Sequence, residues 1–174
     1  MATVDDANSL DAFADVWGGN VRFAADFHYA ELTGRAAKGL AIVTCMDSRI
    51  APLSVVGMAP GDVKILRNAG ARVTEDVLRT LVLATYLLGV DRVLVMPHTE
   101  CRMAGSEEDE IHRHISESFG VDTRSLEFRT VVDQRAALRR DLERIRSFPY
   151  FPAGIAVAGA VYDVNTGQLS PFEE

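Results

Sequence analysis

Cysteine is scarce in this sequence: Cys45 and Cys101 are the two thiols in 174 residues. Two lone cysteines in a reducing compartment are expected to be buried, reactive or metal-bound rather than bridged. Positive charge is also short, with 18 Lys and Arg against 25 Asp and Glu, a formal net charge of −7. That balance argues against a nucleic-acid partner, because neutralising phosphates requires clustered Lys and Arg. No apolar run reaches the ~18 residues that a membrane span needs, so no membrane partner is expected. The first 17 residues are acidic and lack a basic stretch followed by an apolar one. No signal peptide is expected, and the cytoplasm is the default compartment. There is no internal repeat, low-complexity tract or linker.

What the chain does contain is an ordinary globular mix, 48% apolar and 25% charged. Its length suits a single domain, residues 1–174, with a substantial core. Leu10, Phe13 and Trp17 recur at helical spacing and predict an amphipathic N-terminal helix before Gly18-Gly19. Such a helix suits either its own core or an arm packed on another subunit. Strands are predicted over residues 40–44, over 63–66 after the turn Pro60-Gly61-Asp62, over 92–96 before Pro97, and over 154–162. Helices are predicted over 74–88, with Thr74 as N-cap and Gly89 past the end, and over 107–119 and 132–147. The turn Asn165-Thr166-Gly167 leads to a short return strand at Gln168-Leu169. This alternation implies an α/β fold: a mostly parallel four-stranded sheet, a short antiparallel edge strand and flanking helices. In such sheets ligands sit beyond the carboxyl ends of the strands, near a topological switch point.

Both cysteines fall there. Cys45 follows the first strand, His98 lies two residues past the third, and Cys101 comes three residues later. If those strands are neighbours, the three side chains converge on one sheet edge. Two thiolates and an imidazole suit zinc, and three protein ligands leave one tetrahedral position open. A Cys after an apolar strand is more often a small buried hydrophobe, a lone His-x-x-Cys is a weak metal signal, and a Cys–His nucleophile pair is another reading. Asp47 and Arg49 alternate with Cys45, so an extended backbone would carry all three on one side. Arg49 can then hold the Asp47 carboxylate with two hydrogen bonds and keep it ionised.

Taken together, Cys45-Met46-Asp47-Ser48-Arg49, Gly61-Asp62, Arg67-Asn68-Ala69-Gly70-Ala71 and His98-Thr99-Glu100-Cys101 resemble the signature of the β-class carbonic anhydrases. The match in order and spacing runs over about residues 40–103. The resemblance implies one Zn(II) per chain on Cys45, His98 and Cys101, with Asp47 and Arg49 as a catalytic dyad. It implies that a zinc-bound hydroxide reversibly hydrates carbon dioxide to bicarbonate and a proton. It places Ala69 and Gly70 beside the substrate pocket and allows Asp47 onto the metal in an inactive closed state. It also implies a homodimer or larger homo-oligomer, with residues 1–30 as a helical arm on the partner.

Two positions depart from the pattern. Arg102 stands where the family usually has Gly. Ile42 stands where relatives with a bicarbonate-operated lock carry Trp, so no such lock is expected. Carbonyl sulfide or carbon disulfide hydrolysis on the same scaffold is the alternative activity. A catalytically silent zinc protein, its pocket blocked by Arg102, is the alternative from another class. Elsewhere, His112 and His114 are two apart on a predicted helix and face apart. His28 lies among Phe23, Phe27 and Tyr29 and is expected to pack at a core edge or interface. The acidic residues 107–110 suit a helix N-terminus.

Overall fold

A computed structural model describes residues 11–174. The chain divides into two compact units, with the boundary between Thr33 and Gly34. In the first, a 3-10 turn, Asp11–Phe13, leads into helix α1 (Ala14–Ala25). Leu10, the first of the three apolar positions behind the expected helix, lies outside the described residues. The expected stop at Gly18-Gly19 is corrected: α1 runs through both glycines. Each costs about 1 kcal/mol relative to Ala, far less than the ~3 kcal/mol of a proline, and the helix continues through both. No residue of α1 is buried, and Phe13, Trp17, Val21 and Phe23 stand exposed. Phe23, Phe27 and Tyr29 form a ring cluster, and exposed His28 lies against Tyr29 at 4.3 Å between ring centroids.

The second unit is built on strand β1 (Leu40–Cys45), whose six residues are all buried. A strand covered on both faces carries mostly apolar residues on each, which is why this segment does not alternate. Around it stand β2 (Val63–Asn68), β3 (Arg92–Met96), β4 (Ala156–Tyr162) and β5 (Leu169–Pro171), in the order β2-β1-β3-β4-β5. All neighbours are parallel except the β4–β5 pair. The expected four parallel strands and short antiparallel edge strand are therefore present.

Helices α2 (Pro52–Val55), α3 (Glu75–Leu88), α4 (Glu108–Phe119) and α5 (Gln134–Arg146) connect the strands. Thr74 caps α3 by accepting the Val77 N–H, and Gly89 ends it in the left-handed conformation at φ 76° that glycine adopts without strain. Asp133 caps α5, so the helix starts two residues later than expected from Val132. Glu108, Asp109 and Glu110 occupy the first turn of α4, where carboxylates meet the positive end of the helix dipole. Two cores sandwich the sheet. Ala41, Val43, Val93 and Val95 pack with Leu78, Leu81, Leu138, Leu142 and Ile145. Leu40 and Ile42 belong to the second core, with Ile50, Met96, Cys45 and Cys101.

One buried ion pair joins the segment after β2 to α5. Asp141, with a side chain 3% exposed, accepts Arg72 Nε at 2.7 Å and NH2 at 3.3 Å. Arg72 NH1 also donates to the Arg129 carbonyl at 3.1 Å. Removing one partner leaves an uncompensated buried charge. Asp141→Ala is therefore expected to lose about 3 kcal/mol in urea unfolding with an unchanged m-value. A loss below about 1 kcal/mol would show that the pair behaves like a surface bridge.

Candidate metal centre

Strand β1 lies between β2 and β3, so successive crossovers leave it in opposite directions. Its carboxyl end is the switch point of the sheet. Register brings Cys45 opposite Asn68 and Thr44 opposite Met96, so β1, β2 and β3 end nearly level. The Thr44 hydroxyl donates to the Met96 carbonyl at 2.8 Å and ties two of those ends together. Cys45 is the last residue of β1 rather than the first after it. The strand is one residue longer than expected because Cys45 still pairs with β2.

Cys45, His98 and Cys101 are all buried, and one ligand atom from each lies within 4.8 Å of the others. Among the described residues no other group of three or more His, Cys, Asp or Glu converges in this way. The sulfurs are 3.9 Å apart. A disulfide needs about 2.05 Å, whereas two sulfurs each about 2.3 Å from one tetrahedral ion stand about 3.8 Å apart. His98 Nδ1 lies 2.8 Å from the Thr99 carbonyl. A carbonyl only accepts, so Nδ1 carries the proton and Nε2 presents a lone pair. That buried Nε2 has no hydrogen-bond partner, an unpaired group that a metal would satisfy. Burial pushes the Cys101 thiol up, and the adjacent Cys45 adds to the effect. A cation between the sulfurs would reverse that tendency. The donor set therefore fits a zinc ion.

Asp47 and Arg49 come together by a route other than the expected extended strand. The chain turns at residues 47–50, with the Ile50 N–H donating to the Asp47 carbonyl at 3.1 Å. Asp47 caps this turn, as short carboxylates do: its Oδ1 accepts the Arg49 backbone N–H at 2.9 Å and Nε at 3.0 Å. Oδ2 accepts Arg49 NH2 at 2.8 Å. The Arg49 guanidinium, helped by its backbone N–H, holds the Asp47 carboxyl well below the usual carboxylate range. Asp47 in turn raises Arg49. Asp47 Oδ2 stands 3.8 Å from His98 Nε2, adjacent but not bonded.

The surrounding loops are braced by groups that carry little sequence signal. Arg67 donates to the carbonyls of Cys45 at 2.9 Å and Asp47 at 2.6 Å. Asn68 exchanges two hydrogen bonds with the Arg72 backbone, closing the loop through Ala69–Ala71. Within that loop the Gly70 N–H donates to Cys45 Sγ at 3.4 Å. Gly70 has φ +78°, and a β-carbon there would come within 3.3 Å of Met103 Cβ. Gln134 donates to the His98 carbonyl at 2.8 Å from the first turn of α5, a partner no motif announces. Gly70 also lines a small cavity with Cys101, Val95 and Leu138. Ala69 and exposed Arg102 line a surface groove with Met46, Met103 and Phe128. His112 bonds Thr123, whereas His114 lies near Ser118, so the two do face apart.

The carbonic anhydrase family model matches residues 40–169. β-Carbonic anhydrase 1 of Mycobacterium tuberculosis is 34% identical over 157 residues, covering 90% of this chain and 94% of that one. The chain belongs to the β-carbonic anhydrase family. Members of this lyase family also resemble it in three dimensions. The crystal structure of carbonic anhydrase from Streptococcus mutans superposes with a TM-score of 0.84 at 32% identity. That superposition covers 99% of this chain and 100% of the other. A carbon disulfide hydrolase of Acidithiobacillus thiooxidans is 26% identical over 150 residues, 75% of each chain. No helix among the described residues is long and apolar enough to cross a membrane.

If the three buried side chains form one site, zinc added to metal-free protein should protect both thiols from a thiol reagent and raise the melting temperature. Cys101→Ser should lose most of the metal. Full zinc content in that variant by elemental analysis would remove Cys101 from the ligand set.

Proposed function

We propose that this protein is a zinc-dependent carbonic anhydrase that interconverts carbon dioxide and water with bicarbonate and a proton. Cys45, His98 and Cys101 hold one zinc per chain, and Asp47 and Arg49 direct the chemistry. The observation that supports this most is the ionised Asp47, clasped by Arg49 on three hydrogen bonds, standing 3.8 Å from the unpartnered His98 Nε2. A purely structural metal would have no use for such a carboxylate.

Bound there, zinc supplies a Lewis acid that lowers the pKa of water from about 15.7 toward about 7. An ionised carboxylate only accepts hydrogen bonds. Asp47 therefore accepts a hydrogen bond from the attacking water and turns its lone pair toward the carbon. Arg49 keeps Asp47 in that role by holding both of its oxygens, which opposes a swing of the carboxylate onto the metal. The Gly70 N–H tempers the charge on Cys45. Ala69 offers no bulky side chain beside the groove, and Gly70 lets Met103 approach the loop closely. The proton released goes to buffer. Ile42, fully buried in the apolar core, stands where relatives with a bicarbonate-operated lock carry Trp, and no such lock is proposed.

Carbon disulfide hydrolysis is the second reading, supported by the carbon disulfide hydrolases among the relatives, but their 26–29% identity falls below the 34% to β-carbonic anhydrase 1. Exposed Arg102 is not a reason to read the site as silent. The proposed assembly is a homodimer or larger, with residues 1–30 as an arm on a second copy, supported by exposed Phe13, Trp17, Val21 and Phe23. The cytoplasm, where thiols stay reduced, suits a dithiolate site.

Asp47→Asn should retain zinc and lose about a hundredfold in kcat/KM for carbon dioxide hydration. Unaltered kinetics would take Asp47 out of the mechanism, and faster turnover of carbon disulfide by the unmodified protein would favour the second reading. Removing residues 1–30 should lower the number of chains per particle found by light scattering; an unchanged number of chains would count against the arm.

A further inference from the structure

Glu100 sits between two of the proposed ligands and has a backbone that glutamate rarely adopts, with φ +55°. A non-glycine residue in this region is strained, and such strain persists where the surroundings hold it. What holds it here is a chain of hydrogen bonds across the mouth of the site. Glu100 Oε2 accepts Arg49 NH1 at 3.4 Å, and the Glu100 carbonyl accepts Arg49 NH2 at 3.4 Å. On its other side, Oε1 accepts Asn165 Nδ2 at 3.0 Å. Asn165 is itself fixed, because the Asp163 carboxylate accepts the backbone N–H groups of Asn165 at 2.8 Å and Thr166 at 3.3 Å. The end of β4 and the connection after it grip Thr99 twice: the Thr99 N–H donates to the Tyr162 carbonyl at 2.9 Å, and the Val164 N–H donates to the Thr99 hydroxyl at 3.1 Å.

The guanidinium of Arg49 is therefore held along two edges. Nε and NH2 face Asp47, while NH1 and NH2 face Glu100. The Arg49 backbone N–H already holds Asp47 Oδ1 at 2.9 Å, which limits how far the pair can pivot on the Arg49 stem. The second edge, two 3.4 Å contacts to the exposed Glu100, restricts the guanidinium further by tying it to a separate segment of the chain. We propose that Glu100, backed by Asn165, is a positioning residue that anchors Arg49 to the β4–β5 connection and so fixes where Asp47 stands beside His98. The inference rests on the proposed role of the Asp47–Arg49 pair, but the anchoring can be read without metal or turnover.

The test compares unmodified protein with Glu100→Ala, Glu100→Gln and Asn165→Ala. The first readout is solvent exchange of the Arg49 Nε–H in metal-free protein by NMR, assigned by its loss in Arg49→Lys. That proton reports how firmly Arg49 clasps Asp47. Exchange should quicken about fivefold in Glu100→Ala, with Glu100→Gln and Asn165→Ala between it and the unmodified protein. In zinc-loaded protein kcat should fall about three- to fivefold in Glu100→Ala, with KM unchanged and partial rescue by Gln. A Glu100→Ala protein with unchanged Nε–H exchange would overturn the anchor, whatever the activity. Quickened exchange in a protein whose unmodified form hydrates no carbon dioxide would uphold the anchor and overturn the proposed function instead.

Discussion

The demand that organises the site is the one made by His98 Nε2. Its lone pair is buried in the protein without a donor, while the Thr99 carbonyl fixes the proton on the other nitrogen. Leaving such a group unpaired costs roughly 1–3 kcal/mol, and a domain's whole stability is only about 5–15 kcal/mol. Two thiols close by complete the donor set, and burial, which pushes the Cys101 thiol up, keeps it protonated until a cation displaces the proton. The parallel sheet supplies the place for it, because β1 and β3 end level and their loops must turn there. A fold that buries three donors around one point has a strong reason to bind a metal before any chemistry is considered.

Support for that arrangement comes from well outside the three side chains. Arg67 reaches from β2 to two carbonyls after β1, and Gln134 reaches from α5 to the His98 carbonyl. Asn68 closes the glycine loop that donates to Cys45. Behind that loop, Arg72 is locked to Asp141. Preorganisation of this kind is what catalysis by orientation requires, since donors already in place need not rearrange during the reaction. The site is thus rigid on the side of its ligands and more exposed on the side of the dyad, where Arg49 is 46% exposed.

Much of this was legible in the residues. Residues 40–44 read as a strand because β-branched and apolar side chains in a short run suit a sheet covered on both faces. Thr74 and Gly89 marked the ends of α3 through their own chemistry. The metal cluster was readable because both cysteines and one histidine fell at predicted strand ends. The parts that were not legible are those set by tertiary contacts. Helix α1 is an exception, since none of its residues is buried and it passes through Gly18-Gly19 because the glycine penalty is small. The expectation of an extended stretch after Cys45 failed because the Asp47 side chain competes for the backbone and makes a turn. Glu100, Gln134 and Asn165 act across separations of up to 65 residues, which no local pattern encodes.

The central claim is that a buried Cys-His-Cys centre at the switch point of the sheet carries out carbon dioxide hydration through a single zinc. Stopped-flow hydration measured on samples of graded zinc content tests it most directly. The account predicts a rate that rises in proportion to bound zinc, levels off at one per chain and vanishes in metal-free protein. Protein carrying one zinc per chain, yet hydrating carbon dioxide no faster than buffer, would contradict it.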